Sequence, residues 1–188
     1  MKVFNKDEVE IQYRELIEKV HQGALFVYPT DTIYGIGCDA RNKKAVARLR
    51  KIKERPESPF SIWVPGKEWI EKNCLLDKKH KTWLKELPGA YTLIVNLNDD
   101  KLIADNVAPE LNSVGVRLPD HWFQELINEL DIPIVTTSVN KAGEPFMTSL
   151  DDIDPEIQSN VDFIVYDGER KGRPSKIVNL VKNKIIKR

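Results

Sequence analysis

Two cations one residue apart, Lys53 and Arg55, close a helical pattern directly before Pro56. Arginine offers a planar fork to two oxygens and lysine a mobile point charge, so the pair suits a polyphosphate. The helix macrodipole also favours cations at this end, so either residue read alone fits a solvated cap. Proline biases Arg55 to an extended backbone and aims its side chain away from the helix axis. Upstream, Thr30, Asp31 and Thr32 follow Pro29 and precede Gly35 and Gly37. Hydroxyls and a carboxylate after a strand often just close a turn. The two glycines add room for the backbone to approach something closely. The combined reading is a hydroxyl turn for a small polar substrate beside a cation pair for a polyphosphate.

Further candidates sit at the ends of other elements. Ser138-Val139-Asn140 closes a strand, and Arg117 ends another. Open α/β sheets bind ligands at the carboxyl ends of their strands. Gly168, Gly172 and Ser175 form another small-residue turn before a strand. Several such ends together favour a cleft. Gly35-Ile36-Gly37-Cys38-Asp39-Ala40 formally matches a dinucleotide fingerprint. Pro29 to Tyr34 separates it from its strand, however, and no acidic residue closes the strand that follows. No phosphate-loop motif occurs, so any ATP site is of another kind. His21, His80 and His121 are scattered without metal-ligand spacing, and no metal ligand is assigned. Cys38 and Cys74 are far apart and fit a reducing compartment.

Positioning these groups requires a folded scaffold. Asn5 with Glu8 makes a capping box, and Val9, Tyr13, Leu16, Ile17 and Val20 recur at helical spacing up to Gly23. Apolar runs predict strands near residues 25–28, 60–64, 91–97, 113–118, 132–137, 163–166 and 177–181, with Ile185-Ile186 extending an edge. Helical patterns follow Asn42 and cover about residues 67–73, 78–87 and 121–130, with a short one from Pro155. Roughly seven strands and five helices, intermingled throughout, predict one open, twisted, mixed α/β sheet with helices packed on it. A length of 188 residues fits a single domain, 1–188. Lys plus Arg equals Asp plus Glu at 29 each, which argues against holding nucleic acid by bulk charge but not against a local basic cleft. No apolar run is long enough for a bilayer. The polar first residues run straight into a helical pattern, so no signal peptide is expected and the cytoplasm is.

Taken together, the segments P-T-D-T-I-Y-G-I-G-C-D-A, I-K-E-R-P-E-S-P, P-G-A-Y-T-L-I-V, V-G-V-R-L-P-D-H, T-T-S-V-N-K-A-G-E-P and P-S-K-I-V-N resemble the Sua5/YrdC/YciO family. They occur in family order over residues 25–181. The family's K-x-R and S-x-N signatures fall on Lys53, Arg55, Ser138 and Asn140, which favours the threonylcarbamoyl-AMP-forming branch over YciO. Larger members carry an extra C-terminal domain, and the resemblance leads one to expect only the first domain here.

The resemblance implies a nucleotidyl transfer. L-threonine, bicarbonate or CO2 and ATP, with Mg2+, give threonylcarbamoyl-AMP and pyrophosphate for modification of adenosine 37 of tRNA. It implies a YrdC-like twisted sheet with a large basic concave cleft. It also implies downstream threonylcarbamoyl-transfer proteins and contact with tRNA or double-stranded RNA. Carried over by position, Lys53, Arg55, Ser138 and Asn140 are the catalytic set. Thr32, Arg117, Ser138 and Ser175 contact threonine. Lys53, Arg55, Ser113, Asn140 and Thr148 contact ATP, and Lys187 or Arg188 closes over the nucleotide. The alternatives are an RNA-binding module without chemistry and a YciO-like paralogue. Two departures from the family stand out. Lys176 follows Ser175 where threonine is usual and offers another cation to the phosphates. Trp63 replaces a small aliphatic residue and is expected to reshape the threonine pocket.

Overall fold

The computed structural model describes residues 2–186. β1 (Lys2–Phe4) leads into α1 (Lys6–Ile11), α2 (Tyr13–His21), β2 (Phe26–Tyr28) and β3 (Gly35–Gly37). Then come α3 (Lys43–Ile52), β4 (Ser61–Trp63), α4 (Lys67–Asn73), a 3-10 segment at His80–Glu86, and β5 (Tyr91–Asn96). β6 (Ser113–Arg117), α5 (Gln124–Leu130), β7 (Ile134–Ser138), α6 (Pro155–Asn160) and β8 (Phe163–Val165) precede a closing hairpin of β9 (Lys176–Asn179) and β10 (Lys184–Ile186). The ten strands of the described residues form one sheet ordered β1-β8-β2-β3-β7-β4-β6-β5-β9-β10. Parallel and antiparallel pairs mix along it, with β4 parallel to β6 and antiparallel to β7. The mixed α/β sheet read from the sequence is the fold observed.

Alternation along the strands splits the core between two faces. Val27, Ile36, Ile62, Val116 and Val135 pack against Ala45, Leu49, Ile70 and Ile157 from α3, α4 and α6. Phe26, Tyr28, Trp63, Ile134 and Phe163 pack on the other face against Val9, Leu16 and Val20, and against Phe123, Leu126 and Ile127. Burying one such side chain stabilises the fold by about 1.5–3 kcal/mol.

The helix starts follow their caps. Glu8 N–H donates to Asn5 Oδ1 at 2.9 Å, and Asn5 N–H to Glu8 Oε2 at 2.8 Å. Ala45 N–H donates to Asn42 Oδ1 at 3.1 Å. The structure differs from the sequence reading in four places. The first helix breaks at Gln12 into two. The segment near residues 78–87 winds as a 3-10 helix. β1 and β3 are strands that no periodicity announced, each only three residues long. β3 is Gly-Ile-Gly because it runs against crowded neighbours. A Cβ on Gly37 would sit 1.8 Å from the Val135 carbonyl oxygen, and one on Gly35 would sit 2.7 Å from the Tyr28 ring. The close approach these glycines permit is to the sheet itself. Strand geometry across residues 35–37 also removes the dinucleotide fingerprint.

Candidate active site

On the face lined by Trp63 and Ile134, the apolar pattern gives way to small and polar side chains across adjacent strands. Ser61 pairs with Gly115 and with Thr136, and Trp63 pairs with Arg117. Thr92 on β5 and Ser138 on β7 extend the same surface. Ser61, Thr92, Arg117, Thr136 and Ser138 floor a cavity of about 130 Å³ whose walls include Thr32, Arg55, Phe60, Phe146 and Ser175. A second cavity of about 210 Å³ is lined by Lys53, Arg55, Ser58, Ser138, Asn140, Lys141 and Gly143. Arg55 and Ser138 belong to both.

The first cavity is set by hydrogen bonds from buried hydroxyls. Thr30 Oγ1 donates to the Ile33 carbonyl at 2.7 Å and accepts the Thr32 N–H at 3.1 Å, which locks the turn. Arg117 donates to Asp31 Oδ1 at 2.9 Å and to Thr32 Oγ1 at 3.2 Å. The side chains of Arg117 and Asp31 are only 9% and 11% exposed, so this ion pair is largely out of water. The Ser175 hydroxyl lies 2.7 Å from Thr92 Oγ1.

The loop carrying Ser175 lies directly on the hydroxyl turn. A Cβ on Gly172 would sit 1.9 Å from the Thr32 carbonyl oxygen, so only glycine allows that contact. Arg170 donates to the Thr30 carbonyl at 2.6 Å. Asp167 anchors the loop, accepting from Arg170, from Trp122 Nε1 at 3.1 Å and from Tyr34 Oη at 3.2 Å, with His121 Nε2 3.1 Å away. Burial alone would raise its pKa. Hydrogen bonds from His121, Arg170 and Trp122 outweigh that and hold the carboxyl well below the usual carboxylate range.

The second cavity is built around a buried amine. Lys53 was expected to lie open to a polyphosphate, yet it is 2% exposed. Its Nζ donates to the Ser138 and Asn140 carbonyls at 2.6 and 2.5 Å and approaches Asn140 Oδ1 at 3.5 Å. The Lys53 carbonyl accepts the Ala142 N–H at 3.0 Å. Lysine therefore clamps the S-x-N turn from below. The Ser138 carbonyl also accepts the Asn140 N–H at 3.1 Å, and the amine adds a second donor there and one to the Asn140 carbonyl. Burial first, and then the Arg55 charge, lower the Lys53 pKa to about 7. Ser138 Oγ donates to Asn140 Oδ1 at 2.5 Å, and Asn140 Nδ2 donates to the Glu144 carbonyl at 2.7 Å. Arg55 donates to the Pro59 carbonyl at 3.0 Å and reaches both cavities. Lys141 is paired with Glu54 and Glu156.

Other expected site residues lie apart from these cavities. Ser113, at the opposite end of β6 from Arg117, lines a separate cavity with Asp100, Ile103 and Asn112. The Thr148 hydroxyl donates to Asp152, closing a local turn, and lines neither cavity. Lys176 alternates away from Ser175, with its amine 5.9 Å from the centre of the Tyr91 ring, and lines neither cavity. Trp63 does not shape the first cavity. It is fully buried against Tyr28 and Phe123 and donates to Gln124 Oε1 at 2.5 Å. Lys187 and Arg188 lie outside the described residues. The sequence reading overlooked Ser61, Thr92 and Phe146 as lining residues and Asp31 as the partner of Arg117. A strand-period hydroxyl facing away from Leu93 was the available signal for Thr92. Among the described residues, no group of three or more His, Cys, Asp or Glu side chains could hold a metal ion.

A family model labelled Sua5/yciO/yrdC and described as telomere recombination matches residues 18–188. The chain belongs to this family. A Methanocaldococcus jannaschii protein provisionally named a threonylcarbamoyl-AMP synthase is 36% identical over 97% of this chain and 86% of its own length. The threonylcarbamoyl-AMP synthase of Vibrio campbellii is 27% identical over 93% of this chain and 97% of its own. Among solved structures, P. abyssi Sua5 complexed with L-threonine superposes at a TM-score of 0.85 with 26% identity and 96% of this chain covered. This family member spans about half of that Sua5 chain, 54%. E. coli YciO shares the fold at a TM-score of 0.86, at 22% identity, over 99% of this chain and 94% of its own. No helix among the described residues is long and apolar enough to cross a membrane.

Proposed function

We propose that this protein is a threonylcarbamoyl-AMP synthase that joins L-threonine, bicarbonate or CO2 and ATP, releasing pyrophosphate. The observation that carries the reading is the adjacency of two cavities, one lined by Thr32, Arg117 and Ser175 and the other by Lys53 and Asn140, with Arg55 and Ser138 shared. The synthase names of relatives that cover most of this chain support it, as does the threonine-bound Sua5 of the same fold. In this reading Arg117 receives the threonine carboxylate, and the hydroxyls of Thr32 and Ser175 orient the rest of the molecule. The neutral threonine amine takes up CO2 and loses a proton to solvent, and the carbamate oxygen attacks the α-phosphate as pyrophosphate departs. Both reactants are anions, so the protein's task is to align them in line and to screen their charge. Arg55 does so at the junction, while Lys53 acts through the turn of Ser138 and Asn140. The carbamate is already nucleophilic and needs no dedicated base.

Among the described residues no three His, Cys, Asp or Glu side chains gather into a metal site, and Mg2+ would arrive on the phosphate oxygens of the nucleotide. The product would pass to threonylcarbamoyl-transfer proteins acting on tRNA in the cytoplasm. A net charge of zero means that any RNA contact must be local. The test is pyrophosphate release measured with each substrate omitted in turn. Release that requires both threonine and bicarbonate is expected. Release without either one, or none from folded protein, sinks the assignment.

A further inference from the structure

Arg50 lies one turn before Lys53 on α3 and is 8% exposed. It lines neither site cavity, yet its guanidinium is saturated with backbone oxygens. Nε donates to the Asn106 carbonyl at 2.7 Å and Nη2 to the Val107 carbonyl at 3.1 Å. Nη1 faces the carbonyls of Arg55, Pro56 and Ser58 at 2.8, 3.1 and 3.0 Å. The guanidinium carbon lies 4.5 Å from the centre of the Phe60 ring, and that of Arg55 lies 5.5 Å from the same ring. The segment so held leaves α3 through Glu54, at a left-handed φ of 51°, and delivers Arg55 to the wall that the two cavities share.

We propose that Arg50 is the positioning residue for Arg55: it ties the backbone of residues 55–58 to the 106–107 loop so that the Arg55 guanidinium faces the nucleotide. Only arginine has the planar set of donors for carbonyls arriving from two segments at once. Lysine offers a single nitrogen, and an apolar residue removes the guanidinium donor from all of these carbonyls, leaving Val107 with only the Phe60 N–H at 2.9 Å. Arg50 meets neither substrate and works through another side chain. The proposal depends on the synthase reading only for the identity of the anion as a nucleotide.

The test compares Arg50→Lys and Arg50→Met with the wild type, using calorimetric binding of the non-reacting analogue AMPCPP, binding of threonine, and thermal unfolding. Analogue affinity is expected to fall about tenfold, the worth of a charged hydrogen bond, while threonine affinity stays within about twofold. In an Arg55→Ala background, Arg50→Lys should cost nothing further, because the two residues act as one unit. An equal cost in both backgrounds overturns the proposal, as does an unchanged analogue affinity. Equal loss of threonine binding, or failure of both variants to fold, makes Arg50 a stability residue and also overturns it. A wild type that binds AMPCPP but releases no pyrophosphate removes the synthase reading and leaves the role of Arg50 standing. A wild type that binds no AMPCPP overturns both.

Discussion

The two halves of the cleft are made by opposite means. The half around Thr32, Arg117 and Ser175 rests on the sheet, and its Arg117 is paired with Asp31. The half around Lys53, Ser138 and Asn140 is a turn whose shape comes from a buried amine holding carbonyl oxygens. A small zwitterion gains from a rigid, charge-balanced pocket, where fixed dipoles discriminate shape. A polyphosphate gains from backbone and cationic groups that can follow its length. In the first half Arg117 is matched by a carboxylate, and in the second Lys53 is matched by carbonyl dipoles.

Removing the guanidinium from the first half should do the greatest damage. Arg117→Ala leaves the Asp31 carboxylate nearly buried without its cation, which costs about 3–5 kcal/mol in comparable pairs. Urea unfolding should show a loss of that order, and threonine binding should disappear even where the protein remains folded. A loss below about 1 kcal/mol, typical of exposed pairs, would erase the contrast between the halves.

Lys53→Met attacks the other half. ATP affinity should fall tenfold or more, in line with about 1.5–3 kcal/mol for a charged hydrogen bond, while threonine affinity changes less. Stability offers a second readout. The amine titrates near 7 in the fold, against an ordinary value of 10.5, because of burial and then Arg55. Between those values the unfolded chain binds a proton that the folded chain has released, so wild-type stability must rise with pH relative to Lys53→Met. Urea midpoints of the two proteins at pH 7 and pH 9 measure it. Parallel curves would mean that the amine keeps its proton and that the turn holds it as tightly as the sheet half holds Arg117.

The loop over the first half is the next point of attack. Asp167→Asn weakens its ties to His121, Trp122 and Arg170, and should cost about 1–3 kcal/mol in unfolding free energy. Threonine affinity should weaken along with it, because Ser175 rides on that loop. The folded carboxyl sits below its unfolded value of about 3.8, so the wild-type advantage exists above that pH and fades as pH drops through the lower folded value. An advantage that persists undiminished in strong acid would show that packing, and not charge, pins the loop.

The two halves also differed in how readily the sequence disclosed them. Strands such as Tyr91–Asn96 and caps such as Asn5 and Asn42 were legible because local chemistry specifies them. Thr32, Arg117 and Ser175 were legible as polar residues at strand ends, and the sheet brings such ends together. The role of Lys53 was not legible. A lysine at a helix terminus looks solvated until the chain returns with Ser138 and Asn140, more than eighty residues later. β3 was missed for a related reason. Gly35-Ile36-Gly37 sets one strand former between two strand-depleted glycines, and only the Tyr28 ring and the Val135 carbonyl pressed against them explain those glycines. Long-range backbone contacts leave no periodic trace.

The smallest expected effect comes from Lys176, the residue that departs from the family beside Ser175. A cation there would tilt the first half toward the character of the second if it reached the cleft. Strand alternation sends it outward instead, over Tyr91, while Ser175 points in. Lys176→Thr should therefore alter stability by no more than about 0.5 kcal/mol, as exposed substitutions do. The ATP and threonine requirements should both be unchanged, even at low salt, where a nearby cation would be felt most. A salt-dependent rise in the ATP requirement would place Lys176 at the phosphates after all. It would also mean that the sheet half contributes charge to the nucleotide, and the division between a balanced half and a dipolar half would have to be redrawn.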